Sequence, residues 1–195
     1  YWMGFKEYAA AGIGAVESCS CSGAPAGAVL PRMLGIQAAG AAPLVNGGEV
    51  DDPQTVGTAI KIGRPATRQG ALNAARESGG AFWAVTDEEM LAAYRRLAAT
   101  EGIFAEPASC ASIAGLIKLS ESGYFEGQAG GFIDGQPAPA PKHRPFTGRG
   151  GRPKVVAVLT GHGLKDPDTA IRVSRPPEKL PADYGRLERL ILAGS

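Results

Sequence analysis

The chain has 195 residues, with 20 lysines and arginines set against 19 aspartates and glutamates, for a net charge of +1. That length can bury a substantial core, and with 44% apolar residues the chain is not disordered throughout, although 28 glycines and 15 prolines imply long loops. A charge so near zero argues against a grip on nucleic acid or an anionic membrane surface, both of which draw on a basic field.

No stretch approaches the roughly 18 consecutive apolar residues of a membrane span. Residues Tyr1 to Lys6 lack the basic and apolar regions of a signal peptide. Three cysteines cannot close a disulfide framework, and Cys19 and Cys21 lie too close together for an ordinary bridge. A reducing compartment, the cytoplasm, is therefore expected. The chain opens inside a helical pattern without an initiator methionine, so it reads as a fragment.

Trp2, Phe5, Tyr8 and Ala9 predict an amphipathic helix over 1–12, ended by Gly12 and Gly14. Residues 14–28 show neither period and read as a loop. Residues 31–37 predict a short buried strand, followed by small residues and a turn at Asn46-Gly47-Gly48. Asp51-Asp52-Pro53 has the form of a helix start, an aspartate before a first-turn proline. A helix over 66–78 and a strand at 82–85 follow. Thr86 and Glu89 form a capping box, opening a helix with Met90, Leu91, Tyr94, Leu97 and Ala98 on one face. Another helix begins near Ser109, carrying Ile113, Leu116 and Ile117. Residues 123–152 have no hydrophobic period and read as an inserted surface loop. Lys154 to Thr160 predicts an apolar strand closed by Gly161-His162-Gly163. Asp166 then caps a helix whose first residue is Pro167. Helices and strands thus alternate, which predicts an α/β fold with a mainly parallel sheet flanked by helices. Ligands of such sheets gather beyond the carboxyl ends of the strands, so the end of the 154–160 strand is the first place for a site.

At that place Thr160 offers a hydroxyl, and Gly161 and Gly163 let backbone approach a ligand closely. On local physics alone, the stretch fits a strand–turn–helix connection with nothing bound better than a site, and His162 fits a turn residue better than a base. The stretch Val158-Leu159-Thr160-Gly161-His162-Gly163-Leu164-Lys165-Asp166 resembles the C-terminal signature of the threonine synthase family, pyridoxal-phosphate enzymes of the tryptophan-synthase-like fold (fold type II). Three further blocks agree in order and spacing: Pro31 to Pro43, Thr58 to Pro65, and Glu106-Pro107-Ala108-Ser109. Tyr1 to Phe5 resembles the helix just after the family's phosphate-binding loop.

The resemblance implies that residues 1–195 are the C-terminal portion of the catalytic domain, with loop insertions at 14–28 and 123–152 and the N-terminal half absent. It places pyridoxal 5'-phosphate against Thr160, whose hydroxyl would bond the pyridine nitrogen, and against Ala59, Ile60, Glu106 and Gly161. It implies the conversion of O-phospho-L-homoserine and water to L-threonine and phosphate. Glu106 reads as well as a capping or pocket-shaping carboxylate. None of Lys6, Lys61, Lys118, Lys142, Lys154, Lys165 and Lys179 matches the family's Schiff-base lysine. No catalytic residue is therefore assigned within the chain, and alone it should be inactive. Arg64 stands where the family has asparagine, and Cys110 where it has alanine.

Two alternatives stay open: another enzyme of the same fold, such as a threonine dehydratase or cysteine synthase relative, and a non-catalytic half-domain acting as a binding module. The pair Cys19 and Cys21 lacks companion ligands for a closed zinc site, so no metal is expected. The cluster of Lys142, His143, Arg144, Arg149 and Arg152 reads as a solvated loop. The sequence does not decide whether the chain forms a homo-oligomer.

Overall fold

The structure, a computed structural model, describes residues 1–13, 15–16, 27–28, 30–141, 153–174, 179 and 182–193. Cys19, Cys21 and the basic cluster between Lys142 and Arg152 lie outside the described residues. Two compact units are present, Tyr1–Lys165 and Asp166–Ser195.

The first unit opens with helix α1 (Trp2–Ala10) and a two-residue antiparallel pair, β1 (Ala15–Val16) with β2 (Gly27–Ala28). The indole N–H of Trp2 and the ammonium of Lys6 both donate to the Glu77 carboxylate, at 2.7 and 2.8 Å. Strand β3 (Leu34–Ala38) leads into a short helix α2 (Pro43–Asn46), closed by Gly47 at φ 80°. A one-turn helix at Thr58–Ile60 precedes α3 (Arg68–Ser78). Strand β4 (Ala81–Val85) then pairs in parallel with β3, from Leu34 opposite Ala81 to Ala38 opposite Val85. Helix α4 (Asp87–Glu101) starts at the predicted capping box, with both reciprocal bonds between Thr86 and Glu89 formed. Helix α5 (Pro107–Glu121) starts at Glu106, with proline in its first turn, where a missing N–H costs nothing.

Strand β4 is buried on both faces. Phe82 packs with Leu44, Leu72 and Ala75, while Ala81 and Trp83 pack with Leu119 and Tyr124. This is the two-sided burial expected of a strand with helices on both faces. Helix α5 lies close to β3 because Gly115 has no side chain; a Cβ there would run into Ile36. The second unit holds α6 (Pro167–Val173) and α7 (Tyr184–Ala193). Asp166 caps α6, its carboxylate accepting the Thr169 N–H at 3.1 Å. Among the described residues, no helix is long and apolar enough to cross a membrane.

Three expectations need correction. Asp51-Asp52-Pro53 starts no helix, because tertiary partners take the backbone there. The N–H of Val50 donates to Gly63 O and that of Gln54 to Gly40 O, and the Asp87 carboxylate accepts from Val56 N and Thr55 Oγ1. The 123–152 segment is not all loop. It contains a hairpin, β5 (Phe132–Ile133) and β6 (Gln136–Pro137), that joins the sheet antiparallel beside β4. The sheet is therefore mixed, in the order β3-β4-β5-β6. The turn is Asp134-Gly135, both at positive φ, the chemistry that tight hairpin turns favour. Arg68 on α3 holds it through an ion pair to Asp134 and a bond to Pro43 O. Finally, Lys154 to Thr160 pairs with no strand among the described residues, and Val156 is 90% exposed.

Candidate cofactor site

The site is built on the first turn of α5. Residues 104–106 and 161–163 run antiparallel there: Glu106 N donates to Gly161 O at 3.0 Å, and Gly163 N donates to Phe104 O at 2.9 Å. Glycines are needed for that approach, since a Cβ on Gly161 would collide with the Glu106 carboxylate and one on Gly163 with the Phe104 ring. Ser109, 2% exposed, then binds the incoming chain twice. Its Oγ accepts the Gly161 N–H at 2.7 Å and lies 3.2 Å from Thr160 Oγ1. One turn further on, the single proton of Ser112 Oγ is shared between Ser109 O at 2.9 Å and Val158 O at 3.2 Å. Two hydroxyls of one helix thus stand in for a neighbouring strand.

Of the five predicted cofactor residues, Thr160, Gly161 and Glu106 come together in this cluster. Ala59 and Ile60 sit on the 58–60 turn. Its flanking Gly57 lies so close to Ala108 of α5 that an added Cβ would be 3.3 Å from the Ala108 Cα. Glu106 is not a side-chain cap; its carboxylate is buried and meets Lys165 Nζ at 3.2 Å. That ion pair gives the buried charge a partner, as burial demands. Sequence reasoning left Lys165 without a role. The Glu106-Pro107-Ala108-Ser109 block marked Ser109 by resemblance, but its part as the hub was missed, for which the local signal is two serines three apart at the start of a helix.

His162 behaves as a turn residue. Its Nδ1 accepts the Leu164 N–H at 3.2 Å, and its ring meets the edge of Phe104 with centroids 5.4 Å apart. Burial pushes the Cys110 thiol up from 9.0 to about 11, and the nearby Glu106 charge adds to the shift. This thiol is fully buried, so it packs in the core rather than acting as a nucleophile.

The donor set suits the ring of pyridoxal 5'-phosphate. Thr160 is exposed, and among the described residues its Oγ1 bonds only Ser109 Oγ. A neutral hydroxyl of this kind satisfies a pyridine nitrogen without holding it protonated, which a carboxylate would do.

The pattern of the pyridoxal-phosphate dependent enzyme family matches residues 8–130, and the chain belongs to that family. Curated relatives narrow the comparison. The chain is 43% identical over 183 residues to threonine synthase of Mycobacterium leprae, an alignment covering 94% of this chain and 41% of the relative. It is 45% identical over 174 residues to that of Synechocystis, covering 89% and 35%. Against threonine synthase of Methanocaldococcus jannaschii it is 39% identical over 198 residues, covering 97% and 40%. The chain thus spans about two fifths of the length of these relatives.

Proposed function

We propose that residues 1–195 form the C-terminal portion of the catalytic domain of a threonine synthase, a cytoplasmic enzyme of threonine biosynthesis. The complete enzyme converts O-phospho-L-homoserine and water to L-threonine and phosphate. The observation that carries this reading is the Thr160–Ser109–Gly161 cluster, in a chain 39–45% identical to the three threonine synthases compared above. Pyridoxal 5'-phosphate, when bound, supplies the electron sink that stabilises negative charge on the substrate carbon skeleton.

The chain's own residues form one wall of that site. Thr160 meets the ring nitrogen through its hydroxyl, and Gly161 leaves room beside the buried Glu106 carboxylate. Lys165 balances the charge of Glu106. Ala59 and Ile60, on the turn against α5, border the ring. In this reading the covalent lysine and the phosphate-binding loop lie in chain that precedes Tyr1. The backbone N–H groups that would neutralise the cofactor phosphate lie there as well.

The test expresses residues 1–195, incubates them with pyridoxal 5'-phosphate, reduces with borohydride and maps adducts by mass spectrometry. No site-specific adduct and no phosphate release from phosphohomoserine are expected. A stoichiometric adduct on one lysine with phosphate release would mean that the chain holds a complete site. Phosphate release by the longer protein separates a threonine synthase from a threonine dehydratase or cysteine synthase relative.

A further inference from the structure

Ser109 has more bonds to satisfy than its place in a helix explains. A serine hydroxyl carries one proton and two lone pairs. One lone pair of Ser109 Oγ is committed to the Gly161 N–H at 2.7 Å. The other polar neighbour of this oxygen among the described residues is Thr160 Oγ1, at 3.2 Å. The contact has two directions. If Thr160 donates, both lone pairs of Ser109 are filled and its own proton has no acceptor. With Ser109 only 2% exposed, water cannot supply one, and a buried unpaired donor costs about 1–3 kcal/mol. If Ser109 donates, its proton is met and only one lone pair is left over, a smaller vacancy than an unpaired O–H, and the Thr160 proton is free to point away from the helix.

We infer that Ser109 donates its hydroxyl proton to Thr160 Oγ1 and so turns the Thr160 proton outward, as a hydrogen-bond donor toward the ring nitrogen of the cofactor. Ser109 is then a positioning residue. The Gly161 N–H fixes the serine oxygen, and the serine proton fixes the threonine. A threonine free to turn would offer the ring nitrogen a donor in some rotamers and a lone pair in others. With one lone pair engaged by Ser109, the directed threonine keeps its proton available for the ring nitrogen, which matches an unprotonated nitrogen. The destination of the outward proton rests on the cofactor reading above. Its direction rests on residues 109, 160 and 161 alone.

The experiment measures hydroxyl-proton exchange with water by NMR on isotopically labelled residues 1–195. The Ser109 hydroxyl proton should exchange more slowly than that of Thr160 by about tenfold, the factor one hydrogen bond supplies. In Thr160→Val the serine proton loses its acceptor and that protection falls away, whereas Thr160→Ser restores it. A slower Thr160 proton, or equal fast exchange of both, overturns the inference. So does Ser109 protection that is unchanged in Thr160→Val, which would show burial rather than donation at work. The same exchange is then measured in the longer protein, which adds the covalent lysine and the phosphate-binding loop, loaded with pyridoxal 5'-phosphate or with the analogue carrying C–H in place of the ring nitrogen. A slowed Thr160 hydroxyl with the first and not the second is expected. No response to either compound would count against the cofactor reading, while the exchange rates still decide the direction of the proton.

Discussion

Strand β4 and the Lys154–Thr160 segment have similar apolar sequences, and both predict strands. Only one of them is a strand. Ala81–Val85 has β3 on one edge and β5 on the other, with α3 and α5 supplying side chains to its two faces. Residues 154–160 have a helix instead, and among the described residues its serines reach only Val158 O, Thr160 and Gly161 N in this stretch. Val155, Val156 and Val158 remain 43%, 90% and 43% exposed. The difference teaches that β-propensity is conditional. Branched apolar side chains fit a pleated surface, but a strand exists only where a partner satisfies its N–H and C=O groups.

That contrast sets the order of the mutational effects. Trp83→Ala removes an aromatic ring packed edge-on to Tyr124 at 5.1 Å. It should cost about 3–5 kcal/mol in urea unfolding. Val156→Thr, in the unpaired segment, should stay within about 0.5 kcal/mol of the parent. A Val156 variant as damaging as Trp83→Ala would show that the segment is packed, and the comparison would fail.

The hairpin tests the sheet's other edge. Replacing residues 129–141 by a short glycine–serine link exposes the β4 edge and removes Ile133 from both core clusters. Loss of that side chain alone is worth about 1.5–3 kcal/mol, so the melting temperature should fall clearly. An unchanged value would restore the reading of 123–152 as a dispensable loop.

Cys110 sharpens the account of how α5 is buried where it anchors the 158–161 stretch, since it follows Ser109 on that helix. Its thiol sits near 11 in the folded chain against an ordinary 9.0, so the native state holds the proton more tightly. The contribution of this thiol to stability is constant below pH 9 and is lost between pH 9 and 11 as the unfolded thiol ionises first. The loss amounts to about 2–3 kcal/mol. The difference between the parent and Cys110→Ala across that range isolates this effect. A parallel pH dependence of the two proteins would show that the thiol is not buried in solution.

The smallest effect is expected at the docked helix α1. The bonds from Lys6 and Trp2 lower the Glu77 carboxyl below its ordinary 4.5. A lowered carboxyl contributes stability that is fully present above its unfolded value, so docking persists at neutral pH. It weakens as the pH falls below 4.5 toward the lowered value. Trp2 fluorescence should report this release at acid pH, and Glu77→Gln should remove the acid-side transition.

Sequence alone determined what depends on neighbours a few residues apart. The Thr86–Glu89 capping box, the Asp166 cap with Pro167, the β4 pattern and the Thr160-Gly161-His162-Gly163 turn were all legible because their partners are local. Tertiary structure decided the rest. Asp51-Asp52-Pro53 lost its helix to Asp87, Gly40 and Gly63, and 132–137 became a hairpin because β4 offered an open edge and Arg68 a charge. Ser109 became the hub because residue 161, far along the chain, brought it an N–H. In each case the deciding group is distant in sequence, and a periodic pattern carries no record of which distant group will supply the hydrogen bond.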